Sequence, residues 1–300
     1  MPSKIYPENK IVRVAHSPDA DDRFMFWPIR AGLVKTGSFQ FQFRDADTQT
    51  LNKLALEDRP EICAISAIHY GRVFEHYQPL LMGASVGNNY GPVIVSDQPE
   101  IETFNAENHS FILLSPGPQT TAHTVLTLLG HSFNNVEFVP ICPLERVFNR
   151  LKDLKTQNSP AVALLIHEGR LTFKQFGCHK LLDIGEQWFQ RTGGSLPLGL
   201  NVISRQMSDN VRNELSEILI ASCDYALKNK STYLELAKTQ GSPWFSPLTT
   251  KELDSYLSLY ANETTRSISD ADKKSFLLLM DEAWNMKLIG GNSKPTVDWI

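Results

Sequence analysis

The chain has 300 residues, enough for two domains of ordinary size that each bury a core. Its formal net charge is −4, and none of its 29 basic residues form a clustered run. A nucleic-acid partner is therefore excluded, because a phosphate backbone is held by a basic face, and we expect a small-molecule ligand instead.

The cysteines, the missing cofactor motifs and the N-terminal segment further restrict the class to which this protein can belong. The four cysteines are far apart and form no CxxC pair, which indicates reduced thiols. Neither GxGxxG nor GxxxxGK[ST] occurs, and the sequence predicts no cofactor and no metal. The N-terminus lacks the apolar core of a secretory signal, and no stretch reaches the ~20 apolar residues of a membrane span. We expect a cytoplasmic protein with no membrane partner.

The first predicted unit is a strand followed by a helix. Residues 11–17 predict the strand, which ends at Ser17, and the apolar residues 24–33 predict a helix that Pro28 kinks or ends. Carboxylates at a helix start either cap its positive end or contact a ligand, and the sequence leaves both roles open. Three aspartates occupy this position: Asp19, Asp21 and Asp22.

Two more strands and a helix follow. The strictly alternating residues 39–44 predict a half-exposed strand, and residues 48–57 predict a short helix that begins at a Thr cap. Residues 62–67 predict a buried strand that stops at small residues. Ser66 therefore occupies the same kind of strand-to-helix turn as Ser17.

The segment GASVG at residues 83–87 matches the GxSxG pattern of serine hydrolases. A nucleophile elbow needs a strand before the serine and a helix after it, whereas here the strand-like residues 92–96 follow. We predict an ordinary loop at this position.

A polar connection then leads into a second α/β series. Residues 111–115 predict a buried strand, and the next helix begins at Thr120 and Thr121 and ends at Gly130. Free N–H groups at this helix start favour a carboxylate or a phosphate. The two threonines would equally serve as helix caps.

The series continues with a strand at residues 136–141, a helix at 143–156 and a strand at 161–166. The apolar pattern of residues 161–166 predicts a strand that is buried on both faces. It stops abruptly, and the next four residues are His167, Glu168, Gly169 and Arg170. In an α/β protein that end is where ligands bind.

His167 is the residue in this group that suits a general base. The ordinary histidine pKa of about 6.5 is tuned to neutral pH by a modest shift, although a histidine that only caps a strand is the alternative. A zinc site of the HExxH type is not supported, because Leu171 stands where the second histidine is required.

The last part of the chain is predicted to be a strand followed by helices. Residues 196–204 predict the strand and residues 209–228 a helix with apolar residues at helical spacing. Ser269, with Asp272 three residues later, resembles a capping box and predicts the start of the final long helix.

Eight segments spread over nearly the whole chain carry a family resemblance. They are AHSPDADDRFMFWPI, TLNKLALE, CAISAIHYGRV, YGPVIVS, SPGPQTTAH, ALLIHEGRLTF, LDIGEQW and SLPLGLNVIS. In this order they resemble the 1,4-dihydroxy-6-naphthoate synthase family of the futalosine route to menaquinone. The most specific parts are IHEGRLTF and PGPQTTA.

The resemblance implies an α/β, two-lobed periplasmic-binding-protein-like (class II) fold with two crossing strands. Residues 92–96 and 198–204 are the candidates for these crossings. We expect residues 1–96 and 204–300 to form one lobe and residues 97–203 the other, with a cleft between them.

The activity that the resemblance implies is that of a lyase. Such an enzyme converts cyclic dehypoxanthine futalosine to 1,4-dihydroxy-6-naphthoate with loss of a three-carbon fragment. A histidine at the position of His167 is the family's proposed proton acceptor, and no cofactor or metal is required. The family's substrate contacts match Ala64, Ile65, Ser66, Thr121 and Ala122.

The predicted turns add four candidate contacts to that set. They are Ser17, Asp22, Thr120 and Arg170. We expect the substrate carboxylate to bind where the helix of residue 121 begins, with Thr121 and the adjacent N–H groups as donors and Ser66 facing it. The expected partner is a small-molecule carboxylate, and whether the chain forms a homodimer is left open.

Two positions depart from the family pattern. Many relatives carry Cys-Pro-Asn-Asp where this chain has residues 19–22, and only Asp22 matches. Some relatives carry Lys where this chain has Ala64, which removes a positive charge that could meet the carboxylate. A chorismate dehydratase-like enzyme and a solute-binding protein for a small carboxylate are the alternatives. The base candidate and the missing signal segment favour an enzyme.

Overall fold

A computed structural model describes residues 10–104, 110–239, 248–291 and 293–300. Strands and helices alternate as far as the strand Leu196–Ser204, and the described elements after it are all helices. Among the described residues the strands are β1 (Lys10–His16), β2 (Phe39–Asp45), β3 (Ile62–Ser66), β4 (Tyr77–Pro79), β5 (Ser85–Gly87), β6 (Val93–Ser96), β7 (Ile112–Ser115), β8 (Asn135–Phe138), β9 (Ala161–Leu165), β10 (His179–Asp183) and β11 (Leu196–Ser204).

The helices connect and cover these strands. They are α1 (Ala20–Arg30), α2 (Thr48–Glu57), α3 (Tyr70–Val73), α4 (Thr121–Leu128), α5 (Glu145–Thr156), α6 (Gly169–Thr172), α7 (Ile184–Thr192), α8 (Asp209–Lys228), α9 (Lys230–Thr239), α10 (Thr250–Tyr260), α11 (Glu263–Arg266) and α12 (Asp270–Asn285). None of the helices within the described ranges combines the length and the apolar character that crossing a membrane requires.

The strands form two sheets, and each sheet is the centre of one lobe. The first lobe contains the order β2-β1-β3-β11-β4, with β5 paired to β11, and the second contains β10-β6-β9-β7-β8. In the first sheet β1 is parallel to β2 and β3, while β11 runs antiparallel to β3. In the second sheet β7 is parallel to β8 and β9, while β6 runs antiparallel to β9. The α/β, two-lobed prediction is confirmed.

The chain passes between the two sheets twice, before β6 and before β11. Strand β6 therefore lies in the second sheet and β11 in the first. The predicted boundaries, at residues 96/97 and 203/204, put each of these strands in the opposite lobe. The difference arises because an apolar pattern identifies a strand without saying which sheet it joins.

At the first of these two passages, the backbone at Gly91 lies very close to the backbone at Gly185. A Cβ atom added at Gly185 would lie 2.0 Å from the carbonyl carbon of Tyr90 and 2.4 Å from the amide nitrogen of Gly91. The start of α7 therefore packs directly on the connection that leads into β6. Only glycine allows two backbones to approach this closely.

Strand β9 is packed against apolar residues on both of its faces. All five residues of β9 are buried, as the sequence predicts. The strand packs among the apolar residues of α5 on one side, including Phe148 and Leu151. On the other side a cluster joins the two sheets and contains both Ile65 and Leu113. The polar residues that follow β9 are thereby held at the junction of the lobes.

Several local predictions are corrected by the structure. Helix α2 is capped by Asp47, whose side chain accepts a hydrogen bond from the Thr50 N–H at 3.1 Å, so Thr48 is its first residue and not its cap. Helix α1 begins at Ala20 and continues two residues past Pro28. The last three residues of GASVG form the short strand β5 (Ser85–Gly87), so the loop prediction is wrong there, but no helix follows and the segment is no nucleophile elbow.

Candidate active site

A cleft between the two lobes encloses about 810 Å³ of empty space, part of it open to solvent. That size is typical of small-molecule sites. The cleft brings together every site residue that the sequence and its family resemblance predict, although their roles stay predictions. These residues are Ser17, Asp22, Ala64, Ile65, Ser66, Thr120, Thr121, Ala122, His167 and Arg170.

The first lobe contributes the carboxyl ends of β1 and β3 to the cleft. These strands are parallel neighbours, so Ser17, which follows β1, and Ser66, which ends β3, lie at the same edge of the sheet. The buried side chain of Asn52 fixes Ser66 from behind. Its Nδ2 donates to the Ser66 hydroxyl at 3.0 Å, and its Oδ1 accepts from the Ser66 N–H at 3.0 Å. The hydroxyl hydrogen of Ser66 is left to donate elsewhere.

The second lobe contributes the carboxyl ends of β7 and β9, which are also parallel neighbours. The turn after β7 leads to Thr120 and Thr121 at the start of α4, and His167 follows β9. The two lobes therefore face each other with the ligand-binding ends of their sheets.

His167 contacts the opposite lobe through both of its ring nitrogens. Its Nδ1 lies 2.7 Å from Oδ2 of Asp19, and its Nε2 lies 2.9 Å from Oγ1 of Thr48. The backbone of His167 has φ of +52°, a left-handed conformation that residues with a β-carbon rarely adopt. This turn of the backbone comes directly after Ile166, the apolar residue that follows β9.

The electrostatic surroundings of His167 favour its charged form. Burial lowers the pKa of the imidazole, but the charge of Asp19 and its hydrogen bond raise it by more, with a smaller contribution from Glu168. The net effect raises the pKa of His167 to about 9. The imidazolium therefore predominates at neutral pH, and the base form becomes populated as the pH approaches that value.

The three aspartates of the first turn all line the cleft, where their side chains bond to neighbouring groups of the protein. Asp19 occupies the cap position of α1, but its side chain makes no capping bond. It accepts instead from the Ser17 hydroxyl and contacts His167. Asp22 accepts the N–H of Ser17 at 2.7 Å, and Asp21 accepts the hydroxyl of Tyr256 at 3.1 Å.

Burial changes the proton affinity of this acidic group. Burial, together with the charge of Asp19, raises the pKa of Asp21 to about 6 and that of Glu168 to about 8. Burial and the charge of Asp21 raise the pKa of Asp22 well above its ordinary value. Glu168 therefore holds its proton near neutral pH, which lessens the repulsion between the carboxyl groups gathered here.

The start of α4 both caps itself and offers donors. The Thr120 hydroxyl accepts the N–H of His123 at 3.3 Å and so caps the helix. Within the described ranges the N–H groups of Thr121 and Ala122 have no acceptor. Capping by Thr120 is confirmed, and anion binding at this helix start stays a prediction, for which two backbone donors are available.

The side chain of Thr121 is already engaged, which corrects the expectation that it would donate to a substrate. Its hydroxyl donates to the carbonyl of Leu198 at 2.8 Å and accepts the N–H of Ile68 at 3.2 Å. Both partners belong to the first lobe. Thr121 therefore joins the lobes, and the predicted donors to a substrate that remain here are the N–H groups beside it.

Arg170 lines the cleft, but its guanidinium is bound by the protein. It lies 2.6 Å from Oδ2 of Asp183, donates to the carbonyl of Gly91 and sits 5.1 Å above the ring of Tyr90. These contacts connect α6 to the passage between the sheets. A ligand would have to compete with a buried carboxylate for this cation.

Sequence reasoning did not find three other residues that line the cleft. Thr48 was expected only as a helix cap, while Tyr256 and Tyr260 lie in α10, a region recognised only as helical. Over the described part of the chain, no three or more His, Cys, Asp or Glu side chains are arranged to hold a metal ion.

Comparisons with known proteins add a family and named relatives. The model of a family described as menaquinone biosynthesis matches residues 12–284. A 1,4-dihydroxy-6-naphthoate synthase of Thermus thermophilus is 25% identical over 95% of this chain and 98% of its own length. A protein of that name from Streptomyces coelicolor is 23% identical over 86% of this chain and 88% of its own length.

Solved structures give the same architecture. A protein from Archaeoglobus fulgidus is 30% identical, with a TM-score of 0.80 over 93% of this chain and 98% of that chain. The alkanesulfonate-binding protein SsuA of Xanthomonas axonopodis is 10% identical, with a TM-score of 0.69 over 98% of this chain and 100% of that chain. At that identity the likeness concerns the fold, and it confirms the periplasmic-binding-protein-like prediction.

Proposed function

The chain belongs to the menaquinone biosynthesis family, and we propose from this premise and from its cleft that it is a 1,4-dihydroxy-6-naphthoate synthase. It is an enzyme, a carbon–carbon lyase that converts cyclic dehypoxanthine futalosine to 1,4-dihydroxy-6-naphthoate with loss of a three-carbon fragment. One observation carries the proposal. His167 follows the buried strand β9 inside a cleft lined by both lobes, at the position that the family resemblance assigns to the proton acceptor.

The chemistry assigned to His167 is proton abstraction from a substrate hydroxyl. Cleavage of the adjacent carbon–carbon bond requires a base for that proton, stabilisation of the negative charge that develops and exclusion of water. Nε2 is the nitrogen available for this step, because Nδ1 is bound to Asp19. Thr48, which contacts Nε2, yields to the substrate hydroxyl.

The charges in the cleft favour one orientation of the substrate. Acidic side chains surround His167, and its imidazolium is already paired with Asp19, so that end of the cleft favours a substrate carboxylate less than the start of α4 does. The unpaired N–H groups of Thr121 and Ala122, together with the Ser66 hydroxyl, attract it. Ala64 supplies no ammonium group for this purpose, so the backbone donors carry the role. The hydroxyl-bearing end of the substrate then points to His167.

The test is an assay with the purified protein and two substrates. We expect incubation with cyclic dehypoxanthine futalosine to yield 1,4-dihydroxy-6-naphthoate, detected by mass spectrometry against a heat-denatured control. Chorismate, incubated in parallel, should be recovered unchanged. Dehydration of chorismate would favour the dehydratase alternative, and binding of either compound without turnover would favour a solute-binding protein.

A further inference from the structure

We infer that Asp19 is a positioning residue for His167, and that it holds the imidazole of one lobe from the other lobe so that the base is assembled only when the lobes are closed. The inference deepens the proposed function, since it rests on His167 being the proton acceptor.

The geometry of Asp19 is the first step. Its side chain is 4% exposed, and its Oδ2 lies 2.7 Å from Nδ1 of His167. The Ser17 hydroxyl donates to the same carboxylate and fixes it from its own lobe. An aspartate at a helix cap ordinarily accepts backbone N–H groups, but this one makes no capping bond and is turned toward the histidine.

The contact determines which nitrogen faces the cleft as an acceptor. When Nδ1–H donates to a carboxylate, the lone pair of the neutral imidazole is on Nε2. Nε2 lies 2.9 Å from the hydroxyl of Thr48, which lines the cleft. Asp19 therefore selects the tautomer and the ring orientation that proton abstraction from a ligand requires.

The backbone of His167 supports the same conclusion. A non-glycine residue at φ of +52° is strained, and such a conformation persists where surrounding contacts impose it. The contacts here come from the first lobe: Asp19, Thr48 and the N–H of Ala20, which donates to Oε1 of Glu168 at 3.1 Å.

Those contacts all cross the cleft. Asp19 directly precedes α1, Ala20 is its first residue and Thr48 begins α2, all in the first lobe, while His167 and Glu168 follow β9 in the second. Separation of the lobes would break each of them at once. The imidazole would then lose its carboxylate partner and its fixed orientation.

The charged groups that face His167 come from two sides. Asp19, Asp21 and Asp22 approach it from α1, and Glu168 is its neighbour in the chain. Burial opposes the charge of the imidazole, and Asp19 is the strongest of the groups that favour it. Removal of the Asp19 charge should therefore lower the pKa of His167.

The experiment uses Asp19→Asn in the full chain, with two readouts. Steady-state kinetics from about pH 6 to about pH 10 give kcat and KM, and an NMR titration without substrate gives the pKa of His167. We expect the limiting kcat at high pH to fall between about 10-fold and about 10⁴-fold, the range for loss of a group that orients a ligand or catalytic histidine. KM should change less, and both the kinetic and the NMR pKa should fall.

Near neutral pH the lower pKa of His167 and the lower limiting kcat act on turnover in opposite directions. A residue that only stabilised the fold would not produce this combination. More of the histidine is then in its base form, yet turnover is slower. Asp19→Glu separates charge from position: it keeps a carboxylate near the ring, so the pKa of His167 should stay raised while kcat still falls. This second variant also serves where Asp19→Asn does not fold.

Asp97→Asn is the matched control, because Asp97 is a buried aspartate outside the cleft. It should retain the wild-type kcat and pKa of His167. An unchanged limiting kcat, or an unchanged pKa of His167 in folded Asp19→Asn, overturns the inference. If the wild type does not turn over the proposed substrate, the proposed function fails, and the NMR titration still decides whether Asp19 holds the imidazole.

Discussion

The imidazole of His167 carries the reaction at the residue scale, and His167→Gln tests it directly. Glutamine keeps hydrogen-bonding groups near Asp19 and Thr48 but cannot accept a proton in this pH range. We expect kcat to fall about 10²- to 10⁴-fold, the usual contribution of a positioned general base. Turnover within about threefold of wild type in the folded variant would remove His167 from the mechanism.

Glu168 offers a prediction about stability. Burial and the charge of Asp19 raise its pKa from 4.5 to about 8, so the folded protein binds this proton more tightly than the unfolded chain does. The stabilisation is complete below about 4.5 and is lost as the pH rises to about 8. Glutamine cannot lose a proton, and its oxygen can still accept the N–H of Ala20.

We therefore expect Glu168→Gln to gain stability over wild type as the pH rises from about 5 to about 8, by about 1 kcal/mol or more. Urea unfolding at both pH values measures the difference. Equal pH dependence in the two proteins would show that the carboxyl group is ionised throughout this range.

The residues that sequence reasoning located and those it missed differ in a physical way. Ser66, Thr121 and His167 follow strands with a buried apolar pattern, and that pattern predicts where ligand-binding ends lie. The partnership of Asp19 with His167 joins two lobes, and no local pattern records which side chains meet when separate sheets pack together.

At the scale of elements, strong patterns were sufficient. The buried run of β9 and the helical spacing of α8 predicted those elements at their observed places. Strand β10 is short, and four of its five residues are only partly buried or exposed, so it has no comparable pattern. Lobe membership of β6 and β11 depends on hydrogen-bond partners distant in the chain, which is why the predicted boundaries differ from the sheets.

The passage between the sheets gives a prediction at this scale. Gly185→Ala would place a Cβ 2.0 Å from the carbonyl carbon of Tyr90, and backbone atoms there cannot move without displacing β6 or α7. We expect a loss of roughly 1–3 kcal/mol in the free energy of unfolding, the usual cost of overpacking. Gly199→Ala is the control, since its Cβ would meet only the Ile65 carbonyl, at 3.3 Å. Equal stability of the two variants would contradict the proposed close packing.

At the scale of the whole molecule, the lobes are held together by hydrogen bonds beside the reacting groups. Nδ2 of Asn52 in the first lobe donates to the carbonyl of Gln119 in the second at 3.0 Å. Thr121 adds the bond to Leu198 from the other side of the cleft. The two-lobed arrangement was predicted from the family resemblance alone, because composition and periodicity predict strands and helices but not their division between lobes.

The Gln49–Gln119 pair tests whether these bonds control closure. Nε2 of Gln49 donates to Oε1 of Gln119 at 3.0 Å, and Oε1 of Gln49 accepts the Gln119 N–H at 3.0 Å. Each neutral bond contributes about 0.5–1.5 kcal/mol, so loss of both should shift the balance toward the open form by about 5- to 150-fold. KM should rise with this shift, while kcat changes less, because the closed complex still pairs Asp19 with His167.

Small-angle scattering and kinetics on Gln49→Ala measure these changes. We expect a larger radius of gyration than wild type, and saturating product should restore the wild-type value, since a ligand that contacts both lobes stabilises the closed form. Gln187→Ala is the matched control, because Gln187 bonds to His131 within the second lobe at 2.9 Å and its loss should leave the scattering unchanged. A Gln49→Ala protein with wild-type scattering and wild-type KM would show that other contacts hold the lobes closed and that the Gln49–Gln119 pair does not contribute to closure.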